Sequence, residues 1–495
     1  MTRESNQRLA DEGVLADLQR QPHLMLKLAE NALTVAENLR DNYFRNTAKF
    51  VEHLRQRIHV TPDDDADALL KIARADDIDW RTLRGELVTF IDGGIGNIKL
   101  ASQVPILLRV GSYLVRTGDR HLAERERFGY YPVILGDLEG GSKERKDFPD
   151  IVRITAELLG GLSVLEQTRD LSVLMLHGPL VYMMSGYSGH TPFTEKDIDL
   201  FLEHYGANPE HGRQLKDEFL EMARLDLYPK MTNRSDEWVA RRLFEPLAWI
   251  AFLCRRLIRL AKKRTPTPII AGVVERGGTL RNFSETVLLE KVYRRLRERN
   301  NQEYFNEMYG RKDLNSPKTL LDRLGYTDSL LLAMLLRTGE YSEPWEMKYK
   351  YAGFRTVGLS LPGESHEERV DFSVLAQHQV GYPIIKGFYL CVSESVEPIR
   401  VEVFSDLGSE QVLGAARRGF LYARLLPEYG FPVGLHIADK HAKVPTWMTE
   451  AYARLIRHHL GVSLQKGQIT DAELRRILVQ AIYMTHRDWL FRPKI

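Results

Sequence analysis

A short apolar segment that ends in an aspartate constrains the fold of this chain more than any other feature. Residues 87–91 are apolar apart from Thr89, and Asp92 follows them directly, with two glycines after it. Such residues favour a buried strand, and the glycines predict that the strand ends there in a tight turn. The turn would leave the Asp92 carboxylate open beside the strand's end. A carboxylate in that position suits Mg²⁺ or Mn²⁺, although Asp-Gly-Gly is also ordinary turn chemistry.

A similar design recurs further along the chain. Residues 171–176, apolar apart from Ser172, form a run of strand length, and His177 and a glycine follow it. His177 is therefore either a metal ligand or a core histidine that is held by hydrogen bonds. Glu157 lies between the two strands, on a helix predicted over residues 148–165, among apolar and small neighbours. It either pairs with a cation or metal, or it is an exposed helix-surface glutamate.

A third polar group stands near the C-terminus. Asp439 and Lys440 follow His436 at spacings of three and four residues, which places both on its face of a helix. His441 lies close to them in sequence. This face either contributes to a site or is a solvated surface.

Composition limits the class of protein. The 495 residues carry a net charge of only +2, so any nucleic acid must be bound by local basic patches rather than by a general positive field. Residues 255–264 and 291–299 are the basic stretches, and solvated helix faces are the alternative reading of each. The candidate phosphate-binding residues are Arg255, Arg256, Lys262, Lys263, Arg276, Arg294 and Arg295.

The cysteines and the absence of certain motifs bear on the compartment of the protein and on ATP hydrolysis. Cys254 and Cys391 are far apart in apolar runs, which predicts buried, reduced thiols. The N-terminus has no apolar signal segment, and no apolar run approaches the roughly 20 residues of a membrane span. We therefore expect a cytoplasmic protein without a membrane segment. Because no P-loop spacing occurs, the chain is not expected to hydrolyse ATP.

The order of predicted elements gives the domain organisation. Residues 14–58 predict a helical arm with an apolar stripe at Leu24, Leu28, Val35 and Leu39. We expect this arm within residues 1–80, a mixed α/β domain over 81–460 and a C-terminal helix over 461–495. Strands and helices mix without strict alternation, so a mixed sheet flanked by helices fits best, with a helical insertion near 190–245.

One further predicted strand carries charges within an apolar pattern. In residues 399–404, apolar residues alternate with Arg400 and Glu402, and this pattern predicts a half-exposed strand.

In this order the motifs resemble the NurA family of prokaryotic DNA-end-processing nucleases, from about residue 86 to 460. Residues 90–94 look like its first acidic motif, and Glu157 stands where the family has a helical glutamate. Residues 174–180 resemble its second strand motif and residues 270–274 its Gly-Val strand. Residues 431–439 are similar to its C-terminal motif.

The resemblance implies an RNase H-like fold and a manganese-dependent DNA nuclease of the 5′-end-resection type, with Mg²⁺ as the alternative ion. It also implies a homodimer that works with a hexameric HerA-type DNA-translocating ATPase, in DNA repair or antiviral defence. Asp92 and Glu157 would be the principal metal ligands and His177 a third. Asp439, with His436 or His441, would complete the site or orient the attacking water.

The chain departs from the family pattern at two positions. The family has an aspartate where this chain has His177, and a lysine where it has Glu275. Manganese accepts imidazole as a ligand, and Arg276 could take over the phosphate contact of the lysine. The alternative is a catalytically silent DNA-binding or scaffold subunit of the same ATPase complex.

Overall fold

The computed structural model describes residues 20, 22–58, 70–97, 106–118, 134–135, 142–180, 195–203, 205, 209–222, 246–276, 280–291, 321–322, 325–347, 356–360, 367–371 and 383–483. The chain divides into two units. One unit comprises residues 1–69, 293–324 and 460–495, and the other comprises residues 70–292 and 325–459.

The second unit is built on a ten-stranded mixed sheet. Its strands are β1 (Ile72–Arg74), β2 (Leu87–Asn97), β3 (Ile106–Arg116), β4 (Ile134–Leu135), β5 (Leu171–His177), β6 (Ile269–Val274), β7 (Glu340–Ser342), β8 (Trp345–Glu346), β11 (Ile385–Leu390) and β12 (Ile399–Phe404). Two further strands, β9 (Thr356–Ser360) and β10 (Glu367–Asp371), form a separate antiparallel pair.

The sheet is antiparallel except at its centre. The strand order is β1-β7-β11-β12-β6-β5-β2-β3-β4, and β8 pairs with β11. β5 runs parallel to both β2 and β6. The predicted mixed α/β sheet flanked by helices is confirmed at this level.

Helices cover both faces of the sheet. The helices of this unit are α3 (Ser142–Gln167), α4 (Glu195–Leu202), α5 (Pro209–Met222), α6 (Pro246–Lys262), α7 (Asp328–Leu335), α8 (Glu410–Ala423) and α9 (Val433–Ala442). α3 packs against β2, β3 and β5 and also against α6, while α9 packs on β2 and β3. Gly160 of α3 faces Ile91 and Gly434 of α9 faces Phe90. Because neighbouring strand residues point to opposite faces, α3 and α9 lie on opposite sides of β2.

The first unit contains the N-terminal arm. α1 (Pro22–Asn38) continues through a π-helical segment (Leu39–Phe44) into α2 (Arg45–Ile58). The described side chains of α1 are all exposed, whereas α2 buries Phe50 and Leu54 completely. Towards the C-terminus, α10 (Thr446–Gln465) crosses from the second unit into the first, and α11 (Ala472–Tyr483) follows it. The predicted apolar stripe of the arm thus exists, and it is exposed.

Several sequence predictions need correction. The glycines after Asp92 do not end the strand, because β2 continues through them to Asn97. β12 is not half-exposed, because all six of its residues are buried, Arg400 and Glu402 included. Its apolar alternation is real, but the charged face is also covered.

Other predictions are confirmed or lie outside the described residues. Cys254 and Cys391 are buried, and neither forms a disulfide. The described parts of the predicted insertion, 195–203 and 209–222, are largely helical, and residues 223–245 are not described. Residues 372–380, whose composition is typical of a strand, also lie outside the described residues. In the described part of the chain, no helix has the length and apolar character that a membrane crossing requires.

Candidate active site

Asp92 lies in the interior of β2, and a backbone amide next to it organises the site. Asp92 is buried, and its Oδ1 accepts a hydrogen bond of 2.8 Å from the N–H of Gly93. Gly93 has a strand conformation, so its function is not to turn the chain. It leaves room, because a Cβ atom there would stand 2.8 Å from both Glu157 Oε1 and Arg153 Cγ.

Glu157 approaches the same amide from the helical side. Its Oε1 accepts a hydrogen bond of 3.0 Å from the N–H of Gly93. It lies among buried apolar side chains of α3, and only 3% of the residue is exposed. The structure thus brings Asp92 and Glu157 together, because two buried carboxylates converge on one N–H group.

An arginine that the sequence analysis overlooked holds Glu157. The Nη1 of Arg153 donates a hydrogen bond of 3.0 Å to Oε1 of Glu157, one helical turn further on. Asp150 lies 3.8 Å from the Nε of the same arginine. The spacing of four residues was the available signal, because residues i and i+4 are neighbours on a helix. Arg153 thus supplies positive charge beside the carboxylate pair.

His177 joins the site from β5. Its Nδ1 lies 2.9 Å from Oδ2 of Asp92, and 22% of its side chain is exposed. The contact is at ion-pair distance, but the buried Nδ1 makes no hydrogen bond of good angular geometry. The ring packs against Phe431, with 5.2 Å between the ring centroids. Gly178 follows with φ of 121°, a conformation that favours glycine and turns the chain away after His177.

α9 brings the C-terminal polar group to the other side of β2. It lies directly on the strand backbone, because a Cβ atom at Gly94 would stand 2.0 Å from the carbonyl oxygen of Ala442. Asp439 is partly buried on this helix and forms an ion pair of 2.8 Å with Lys443. The Asp439 carboxylate is close enough to His177 to raise the pKa of that imidazole.

The two predicted histidines of α9 have different surroundings. His436 packs edge-on against Tyr429, with 5.0 Å between the ring centroids. His441 lies in the last turn of α9 and is partly exposed. The structure thus brings together Asp92, Glu157, His177 and Asp439, while the ring of His436 packs on Tyr429.

Burial and neighbouring charges both shift the pKa values of the site residues. Burial raises the pKa of Glu157 to about 7; Arg153 opposes this shift and Asp92 adds to it. Burial disfavours the charged form of His177, but the Asp92, Glu157 and Asp439 carboxylates outweigh it and raise the pKa of the imidazole. Asp439 also raises the pKa of Lys443 through their hydrogen bond. A cluster of acids and bases with such shifts is typical of functional sites.

Solved structures of known nucleases resemble the chain across most of its length. One is the NurA nuclease from Sulfolobus solfataricus, at 12% identity and a TM-score of 0.42, covering 88% of this chain and 97% of that one. Another is NurA with manganese, at 10% identity and a TM-score of 0.35, with the same two coverages. A third is NurA bound to dAMP and manganese, at 10% identity and a TM-score of 0.35, covering 86% and 93%.

The chain is similar to NurA. No protein-family model and no curated protein sequence matches it. At this level of identity and TM-score, the similarity to NurA structures assigns no role to any residue. The roles of individual residues therefore have to rest on the geometry of this chain.

The donor set suits a hard divalent cation in composition. Two carboxylates and an imidazole are ligands that manganese accepts, and His177 Nδ1 is a buried nitrogen without an aligned hydrogen bond. Within the described ranges, however, no group of three or more His, Cys, Asp or Glu residues is arranged to hold a metal ion. Asp92 and Glu157 thus fit a cation by chemistry, and the three-ligand set with His177 stays a prediction.

The residues predicted to bind phosphate differ in their surroundings. Arg255 forms an ion pair with Asp406 at 2.6 Å, and Arg256 forms one with Glu218 at 2.6 Å. Lys262 and Lys263 are exposed at the end of α6. Arg294 and Arg295 lie outside the described residues.

Arg276 is exposed just beyond the end of β6, three residues after Val273, which is in register with His177. Its neighbour Glu275 accepts a hydrogen bond of 3.0 Å from the hydroxyl of Tyr429. Burial and this hydrogen bond raise the pKa of Tyr429 to about 12, while the charge of Arg276 opposes the shift. Arg276 thus acts electrostatically on Tyr429, whose ring packs on His436 of α9.

Proposed function

We propose that the chain is a metal-dependent DNA nuclease that uses Mn²⁺, with Mg²⁺ as the alternative ion. The observation that carries the proposal is the convergence of Asp92 and Glu157 on the amide of Gly93, with His177 against Asp92. These are the three residues that the order of the motifs singles out. The proposed action is of the exo- or endonuclease type that resects 5′ ends.

The strand order supports an RNase H-like core within the sheet. Three strands, β2, β3 and β4, are antiparallel neighbours, and β5 and β6 then continue the sheet beside β2 in parallel. Asp92 lies on the first of these five strands and His177 at the end of the fourth. Glu157 lies on the helix that connects the third strand to the fourth.

In the proposed mechanism, Asp92 and Glu157 would hold the cation, with His177 as a third ligand. A bound divalent ion would activate water and stabilise the charge that develops on the phosphate. Arg153 favours the charged form of Glu157 and so opposes part of the effect of its burial. Asp439, with His436 or His441, is proposed to orient the attacking water. Arg276 is proposed to contact a phosphate, and the basic residues of α6 to contribute to DNA binding.

A second function is favoured by two features of the site. Arg153 already supplies a positive charge to Glu157, and a neutral imidazole is a weaker ligand for manganese than a carboxylate. Both features favour a catalytically silent DNA-binding or scaffold subunit that keeps the fold and its partners.

Cleavage of labelled linear DNA separates the two functions. The purified chain is expected to degrade DNA in Mn²⁺ and to stop when EDTA is added. Binding of DNA without cleavage, with and without the partner ATPase, would favour the silent subunit. A chain that neither binds nor cleaves DNA would rule out both functions.

We also propose that the chain forms a homodimer and acts with a hexameric HerA-type ATPase, in DNA repair or antiviral defence. The support lies in the arm, because α1 exposes a run of apolar side chains. Leu26 is 65% exposed, Leu28 51%, Leu33 66% and Val35 55%. Exposed apolar surface of this extent marks an interaction site more often than a free surface.

Deletion of residues 1–60 is expected to dissociate the dimer or abolish binding to the ATPase. A finer test replaces Leu28 and Val35 by glutamate, because these two residues share a face of α1. Glu30→Lys on the opposite face of the helix is the matched control. Light scattering and pull-down with the ATPase are the measurements. If the deletion variant and the double glutamate variant both behave as the wild type does, the arm takes no part in assembly.

A further inference from the structure

The chain leaves β5 after His177 through a short segment that covers part of the site. We call residues 178–180 the exit loop. With Glu157, Leu158 and Leu176, this loop lines a cavity of about 10 Å³. That volume is close to the minimum for one water molecule, so the loop closes tightly over the buried end of Glu157. The loop therefore adjoins two residues of the proposed site at once, His177 and Glu157.

A glycine on the next strand leaves the space that the exit loop occupies. Gly272 on β6 is in register with Leu176 of β5 on one side and with Glu402 of β12 on the other. A Cβ atom at Gly272 would stand 2.7 Å from the carbonyl oxygen of Gly178 and 2.7 Å from Cγ of Leu180. The loop thus occupies the space above Gly272 that a side chain would fill.

Glu402 reaches across this space. It is completely buried, and its Oε2 accepts a hydrogen bond of 2.7 Å from the N–H of Leu180. Its Oε1 accepts a hydrogen bond of 2.8 Å from Nε of Arg400, which is also buried. The other end of the loop is held by a hydrogen bond of 2.8 Å from the N–H of Gly178 to the carbonyl oxygen of Val273.

Burying a charge pair in a sheet is costly, and replacement by apolar residues is often neutral or stabilising. The arrangement therefore calls for a reason beyond stability. From these contacts we infer that Glu402 is a positioning residue for the proposed nuclease site. It holds the exit loop so that His177 faces Asp92 and Glu157 stays enclosed. This inference rests on the proposed function, since the site that it positions is the proposed one.

Two matched double variants isolate the contact. Arg400→Leu with Glu402→Gln removes both charges but keeps an oxygen that can accept from Leu180. Arg400→Leu with Glu402→Leu removes both charges and the acceptor. Any effect of losing the buried pair or the other contacts of Arg400 is common to both variants. The difference between them therefore reports on the bond to the exit loop.

The acceptor-free variant is expected to lose about 100-fold in kcat with KM nearly unchanged, because displacing site groups by about 1 Å can cost that much. The variant that keeps the acceptor should stay within about threefold of the wild-type kcat. This loss is much smaller than the roughly 100-fold loss expected from misplaced site groups. Equal kcat values in the two variants would overturn the inference.

A control elsewhere in the sheet separates positioning from stability. Gln411 is buried and accepts a hydrogen bond of 3.0 Å from the N–H of Ile270, at the other end of β6. Gln411→Leu removes a comparable acceptor and is expected to leave kcat unchanged. If this variant loses as much kcat as the acceptor-free variant does, Glu402 is a structural residue only.

Amide hydrogen exchange tests the hydrogen bond to the exit loop independently of DNA cleavage. The amide of Leu180 should exchange faster in the acceptor-free variant than in its partner variant, because it has lost its bond. Unchanged exchange would overturn the contact itself. If the wild-type chain cleaves no DNA, the proposed function fails. Faster exchange at Leu180 in the acceptor-free variant would then still support the positioning contact.

Discussion

Asp92→Asn is expected to lower Mn²⁺-dependent DNA cleavage by about 10²–10³-fold, the usual loss when one preorganised charge-stabilising group is removed. Asparagine keeps the shape of the side chain and an oxygen for the Gly93 amide, which Asp92 now binds at 2.8 Å. It removes the negative charge that a cation requires. The fold should therefore survive while the chemistry is lost.

The measurement is the rate of cleavage of labelled linear DNA, beside the thermal midpoint of unfolding in EDTA. Asp170→Asn is the matched control, because Asp170 stands just before β5 and pairs with Arg116 at the surface. Exposed ion pairs contribute little to stability, so this variant should resemble the wild type in both measurements. Unchanged cleavage by Asp92→Asn would remove Asp92 from the site.

Glu157 should make the stability of the metal-free protein depend on pH. Burial raises its pKa from 4.5 to about 7 in the folded chain. The folded state then binds the proton more tightly than the unfolded state does. The associated stability is fully present below about pH 4.5 and is lost as the pH rises to about 7.

Glu157→Gln removes this dependence, because glutamine does not titrate. Relative to the wild type, the variant should gain up to about 3 kcal/mol in free energy of unfolding between about pH 4 and about pH 8, at about 1.4 kcal/mol per pKa unit. Denaturant unfolding in EDTA is the measurement. Saturating Mn²⁺ should displace the proton and flatten the wild-type curve. Parallel curves for the two proteins in EDTA would contradict a raised pKa for Glu157.

Local patterns predicted the parts of the site better than their assembly. The apolar runs before Asp92 and His177 are strands β2 and β5, and Glu157 is on a helix as expected. Parallel pairing of β2 with β5 then brings the first two residues together. Local pattern placed these residues on the right kinds of element, because strand periodicity and burial depend on nearby sequence.

The features that sequence could not supply depend on contacts between distant segments. Glycine after Asp92 is typical of a turn, and only the approach of α3 explains why it stands within a strand. The alternation around Arg400 and Glu402 is typical of a half-exposed strand. The exit loop, more than 200 residues earlier, covers the polar face, as the bond from Leu180 demonstrates. Such tertiary coverage leaves no local signal.

The close approach of α9 to β2 has a consequence for engineering. Strand glycines are the usual first targets when a protein is stabilised by sequence statistics, since β-branched residues are better strand formers. Here α9 packs directly on Gly94, and the Glu157 side chain packs directly on Gly93. A library built on strand propensity would concentrate its losses at these two positions and would report them as failures of folding. Conversely, a library that holds both glycines constant would keep the close contacts of Glu157 and α9 with β2.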